Sequence, residues 1–102
     1  SQLNFTSEAR QEFKTMQDVC KEALTYLLEN NKINDDFIIK ISGYEQKIDD
    51  LTEQFKINHI QRIKDGKCEG EACVLYSEIL LNFERIGDHV LNIGEALVKM
   101  KY

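Results

Sequence analysis

From Ala72 to Leu97 the apolar residues Ala72, Tyr76, Ile79, Phe83, Ile86, Val90, Ile93 and Leu97 recur at alternating steps of four and three, without a break. A strand would need a period of two; this spacing holds one face only when the backbone turns about once every 3.6 residues. The stretch also carries Leu75, Leu80, Leu91 and Val98 beside the seam. A helix from near Gly70 to the end of the chain is therefore the element around which the rest must pack. Proline is absent and there are only five glycines, so little else in the sequence breaks a helix.

Two further segments share the pattern. Behind a candidate N-cap at Thr6 or Ser7, the positions Ala9, Phe13, Met16, Cys20, Ala23 and Leu27 again step by four and three. The polar run from Glu29 to Asp36 then supplies a connection, with Asn30, Asn31 and Asn34 offering cap chemistry at either end. From Phe37 the apolar row passes through Ile41, Tyr44, Ile48, Leu51 and Phe55 to His59 and Ile63, and Asp65-Gly66 ends it near Lys64. Short connections make consecutive helices antiparallel neighbours, so the expected fold is all-α: an up-down-up three-helix bundle, one domain over residues 1–102. The apolar surface of the third helix is wider than two neighbours need. It predicts a further contact, with a second copy or with another part of a larger parent, burying Leu80, Leu91 or Val98.

Charge narrows the function classes. The formal net charge is −5 and no Lys/Arg cluster appears, which argues against a nucleic-acid partner and favours cations or basic surfaces. No uncharged apolar run reaches the roughly 18 residues of a membrane span, and the N-terminus lacks a signal-peptide core, so the chain is expected to be soluble. It begins with Ser1 rather than Met, which suggests a processed or excised piece. Three cysteines, Cys20, Cys68 and Cys73, leave one over in any internal pairing and suit a reducing compartment.

The acids carry the most chemistry. Glu45 with Asp49, and Glu84 with Asp88, are Glu-x-x-x-Asp pairs, each on one helix face. Glu8 with Glu12 has similar spacing but lies in the first turns of its helix, where the positive end of the dipole offsets the charge. Glu45, Asp49 and Glu84 sit mid-helix with no Lys or Arg three or four residues away, and Glu53 extends the first row. An antiparallel hairpin turning near Cys68 sets Asp49 opposite Asp88 and Glu53 opposite Glu84. Facing carboxylates are how helical bundles hold metal ions, and Asn92 could add an oxygen. The competing reading is a solvated face, with Asp88 paired to Arg85 and with Lys47 or Lys56 screening the others.

Other features carry less. Gly43, Gly87 and Gly94 fall inside predicted helices, where close helix crossing is expected to account for at least two of them. His59 and His89 are read as packed or surface groups, and neither forms the Glu-x-x-His pattern of di-iron bundles. Cys68 and Cys73 flank the turn KCEGEAC, but two more Cys or His are not near them in sequence, so structural zinc is not expected there. No nucleophile, base and orienter assemble from motifs, which argues against an enzyme.

The stretch YSEILLNFERIGDHVLNIGEAL, from Tyr76 to Leu97, resembles the signature helix of the PhoU family. YEQKIDDLTEQFKINHIQRI, from Tyr44 to Ile63, with the KDGKC turn, resembles the preceding helix in the PhoU-like tail of bacterial sodium/phosphate cotransporters. The resemblance implies a three-helix unit, here a single repeat, that restrains phosphate uptake without catalysis. It implies a place at the cytoplasmic face of the membrane, with the transporter portion of the same parent as partner. The family's acidic motif falls on Glu45, Asp49, Glu84 and Asp88, which implies a divalent or trivalent metal there: iron, zinc, magnesium or manganese. A free-standing regulator of phosphate transport and signalling, or a metal-free helical adaptor, remains the alternative.

Overall fold

The computed structural model describes residues 4–29 and 32–101, with the side chain of Lys101 excepted. Three helices account for nearly all of it: α1, Ser7–Glu29; α2, Asp35–Lys64; α3, Gly70–Lys101. Their starts and stops follow the cap chemistry. Thr6 Oγ1 accepts the Ala9 N–H at 3.0 Å, and Asn34 Oδ1 accepts the Phe37 N–H at 3.0 Å, so each side chain satisfies a donor that the first turn leaves open. At the end of α2, Gly66 takes φ +70, and the N–H groups of Gly66 and Lys67 return to the carbonyls of Ile63 and Arg62 at 3.1 and 2.8 Å. This paired return is a Schellman closure, which needs a residue free of a Cβ in the left-handed region. Asn30 and Asn31, expected to help cap α1, lie outside the described residues.

The chain runs up, down and up. Along α2 and α3 the contacts run in opposite order, His59 with Tyr76, Ile48 with Gly87 and Ile41 with Gly94, so those helices are antiparallel. Phe13 meets Tyr76 and Cys20 meets Phe83, so α1 and α3 run the same way. The bundle measures 52 × 23 × 17 Å, close to the length of its longest helix. The core falls into two stacked groups: Met16, Val19, Cys20, Ile48, Tyr76 and Leu80 toward the α2–α3 turn, and Ala23, Leu27, Phe37, Ile41 and Val90 toward the α1–α2 connection.

Two expectations change. Leu80 is a core residue at 2% exposure, and Leu91 and Val98 pack against the second group, so much of the apparent excess on α3 serves the bundle itself. The reason is drift. An α-helix turns every 3.6 residues, so a strict heptad slips around it, and Ile93 on the expected seam emerges at 48% exposure while Gly94 is buried. The same drift turns Ile63 outward at the end of α2 and brings Arg62 in. Gly87 and Gly94 meet the expectation of close crossing, since an added Cβ would lie 3.1 Å from Ile48 and 3.0 Å from Ile41. Gly43 does not: nothing lies within 4 Å of a Cβ built there.

Candidate functional site

The close approach at Gly87 positions the acids. Ile48 packs into the space that a side chain at position 87 would fill, which draws the flanking residues Asp49 and Asp88 toward each other across the α2–α3 face. Glu45 stands one turn from Asp49, and Glu45, Asp49 and Asp88 each place a carboxylate oxygen within 4.8 Å of the other two. Glu45 and Asp49 are half-buried and Asp88 is exposed. Glu84 is half-buried one turn from Asp88; it adds its charge to the field at Glu45 but no oxygen to the close trio.

The electrostatics follow from this crowding. Glu45 shares a hydrogen bond with Asp49, is partly desolvated, and faces the charges of Asp49, Asp88 and Glu84; together these push its carboxyl up to about 7. Two carboxylates in contact hold a proton between them because both cannot ionise cheaply. Among the described residues no ion pair reaches any of the four acids. The screening by Arg85, Lys47 or Lys56 required by a solvated face therefore does not take the form of ion pairs. Glu53, His89 and Asn92 are exposed and stand outside the trio. Three oxygens converging from two rigid helices suit a hard cation, which would replace the shared proton.

A second polar centre escaped the sequence reading. Glu12 is buried on α1 and accepts from Arg62 Nη2 at 2.7 Å, Arg62 Nη1 at 3.2 Å, Tyr76 Oη at 2.6 Å and Asn58 Nδ2 at 2.8 Å, while Glu8 also pairs with Arg62. Burial alone would raise the Glu12 carboxyl; the bonds from Arg62, Tyr76 and Asn58 outweigh it and hold the group below its ordinary value. The helix dipole is thus not what accounts for Glu12. The available signal was an acid flanking the seam of the first helix, level with an arginine flanking the seam in the last turn of the second. The network ties all three helices at one end, a structural role.

His59 is packed, as its place on the apolar row of α2 predicts, and it also meets the turn. Its ring stacks on Tyr76 at a centroid distance of 4.3 Å, and its edge meets both cysteines of the turn: Cys68 Sγ lies 3.9 Å from Nδ1 and Cys73 Sγ 3.7 Å from Nε2. The histidine missing from the local sequence of KCEGEAC arrives from the preceding helix. Counting neighbours along the chain could not find it, and the antiparallel level that pairs Asp49 with Asp88 sets His59 beside Tyr76 and its neighbours in α3, about one helical turn beyond Cys73.

The fold and its acids define a class, a helical bundle carrying a carboxylate face between two antiparallel helices. The sequence profile of the PhoU domain matches residues 13–97, and the chain belongs to the PhoU family. The phosphate-specific transport system accessory protein PhoU homolog 1 of Thermotoga maritima is 23% identical over 91 residues, which cover 89% of this chain and 38% of that protein. The chain thus spans well under half the length of that relative. No solved structure matches. Among the described residues, no helix is long and apolar enough to cross a membrane.

Proposed function

We propose that the chain is the regulatory domain of a sodium/phosphate cotransporter, placed at the cytoplasmic face of the membrane, and that it modulates phosphate uptake by docking on the transporter portion of its parent. Membership of the PhoU family supports the phosphate context. The observation that carries the mechanism is the convergence of Glu45, Asp49 and Asp88 across α2 and α3, with Glu84 completing the acidic patch. A divalent or trivalent cation held there, whether iron, manganese, magnesium or zinc, neutralises the patch and stiffens the α2–α3 pair. It biases transport only by binding one docked state more tightly than another.

Docking through α3 has a revised surface. Val74 and Leu81, one heptad apart, are exposed at 63% and 42%, whereas Leu80 is committed to the core. A second copy of the chain, or the membrane portion of the parent, covers this strip. Sedimentation showing a strict monomer at high concentration would exclude the homodimer.

Elemental analysis of purified protein tests the metal reading. Bound metal should fall in Asp88→Ala and Glu84→Ala, the former more because Asp88 belongs to the close trio. Unchanged metal content in both variants would remove the site. A second reading has its own support, since the Thermotoga relative is described as an accessory protein of a transport system. In that reading the chain is a free-standing regulator that docks on a separate transporter. Several apolar spans encoded in frame upstream of residue 1 would decide for the cotransporter.

A further inference from the structure

We propose that His59, Cys68 and Cys73 form a zinc site that ties the end of α2 to the start of α3. One ligand atom from each residue lies within 4.8 Å of the other two. Zinc bound to sulfur at about 2.3 Å and to nitrogen at about 2.0–2.1 Å in a tetrahedron holds S and N roughly 3.5 Å apart. Each sulfur thus lies within a few tenths of an ångström of that separation from its nearest ring nitrogen, at 3.9 Å for Cys68 and 3.7 Å for Cys73. Each sulfur faces a different ring nitrogen, so a single ion on one nitrogen needs a small shift of one cysteine. Cys68 can supply it, because it lies in the turn between Gly66 and Gly70, both at positive φ, while Cys73 is fixed in the first turn of α3.

The surroundings favour an imidazole–thiolate centre. Stacking on Tyr76 orients the His59 ring, and burial together with the nearby Arg62 charge keeps it neutral, the form that binds metal. Burial and the neighbouring Cys73 push the Cys68 thiol up to about 11, so in the metal-free chain it stays protonated. Binding exchanges protons for metal: Zn2+ displaces one proton from each thiol to solvent, and the two thiolates balance its charge. His59 and Cys68 line a cavity of about 520 Å3 together with Glu69 and Glu71, so a carboxylate or water from it can take the fourth position. Two sulfurs and one nitrogen select zinc over magnesium or manganese, which the all-oxygen trio on the α2–α3 face suits better. The two sites share no residue.

The test uses the reduced, chelator-stripped chain titrated with Co2+, whose tetrahedral thiolate complexes show intense visible bands and a thiolate-to-metal charge transfer. Wild-type protein should develop both with release of two protons as Co2+ binds, and one equivalent of Zn2+ should then erase them with no further proton release. Cys68→Ser and Cys73→Ser should weaken binding on the order of 100-fold or more, while Cys20→Ala and the Glu45→Gln/Asp88→Asn double variant keep the bands. In wild-type protein, Zn2+ should slow alkylation of Cys68 and Cys73 mapped by mass spectrometry, a measurement independent of how well any variant folds. No thiolate–cobalt band in the reduced wild type, or no protection of these cysteines by Zn2+, would overturn the site.

Discussion

At the scale of single residues, two carboxyls pull the pH response in opposite directions. Glu45 has a folded-state value raised to about 7, so its contribution to stability is full below its unfolded value and is lost as pH rises through 7. Glu12 is lowered, so its contribution is present above the unfolded value and is lost as pH falls through the folded one. The metal-free chain should therefore be most stable in mildly acidic solution, between those limits. Glu45→Gln should flatten the alkaline limb, raising stability at pH 8 by on the order of 1–2 kcal/mol while leaving the acid limb in place. Urea titrations at pH 5 and pH 8 check this; an unchanged alkaline limb would show that the shared proton is absent. Thr52 offers a cleaner single-residue case. Its hydroxyl is buried with no hydrogen-bond partner, at 1% residue exposure, and Thr→Val keeps the shape while removing the stranded group. Thr52→Val should stabilise the chain by about 1 kcal/mol, read as an upward shift of the thermal midpoint.

At the scale of helices, the two crossing glycines and the exposed one separate packing from propensity. Gly43→Ala meets open space and should gain up to about 1 kcal/mol from helix propensity. Gly87→Ala gains the same intrinsic preference but presses on Ile48, a fully buried β-branched side chain whose Cβ would be only 3.3 Å away. It should end net destabilised by about 1–2 kcal/mol, and because the same contact sets Asp49 beside Asp88, its metal affinity should fall as well. Denaturant midpoints of the two variants, measured side by side, decide the point. The elements themselves were legible because cap and period agree at the start of α1 and at both ends of α2: Thr6, Asn34 and Gly66 mark boundaries that the apolar spacing also marks. The level of the acids was legible for the same reason, since a tight antiparallel turn fixes which positions meet. What escaped was rotation about each helix axis. A small accumulated angle decides whether position 62 or 63, and 93 or 94, faces inward, and the heptad pattern contains both choices. The Glu12–Arg62 pair and the His59–cysteine contact both depend on that angle, so neither could be read from spacing alone.

At the scale of the whole molecule, α1 is joined to the others by apolar packing and the Glu12–Arg62–Tyr76 network, whereas both proposed metal sites lie on the α2–α3 hairpin. A cation bound at either cluster would therefore act on one pair of helices within a three-helix fold. A ligand that binds only the folded chain at 100 times its dissociation constant adds about 2.7 kcal/mol whatever its location, so a melting curve records the binding but not the place. Hydrogen exchange supplies the place. At pH 8, Mn2+ should slow exchange of backbone amides around residues 45–49 and 84–88 more than those of α1, because local opening of the hairpin breaks the site while fraying of α1 does not. The Glu45→Gln/Asp88→Asn variant should lose this protection, and Cys68→Ser should keep it. Equal protection along all three helices would mean that the hairpin never opens apart from α1, and that a cation on this face could act only on the bundle as one unit. Protection confined to the hairpin would give a docking partner two surfaces to distinguish: an α2–α3 face whose rigidity follows the metal and an α1 face whose rigidity does not.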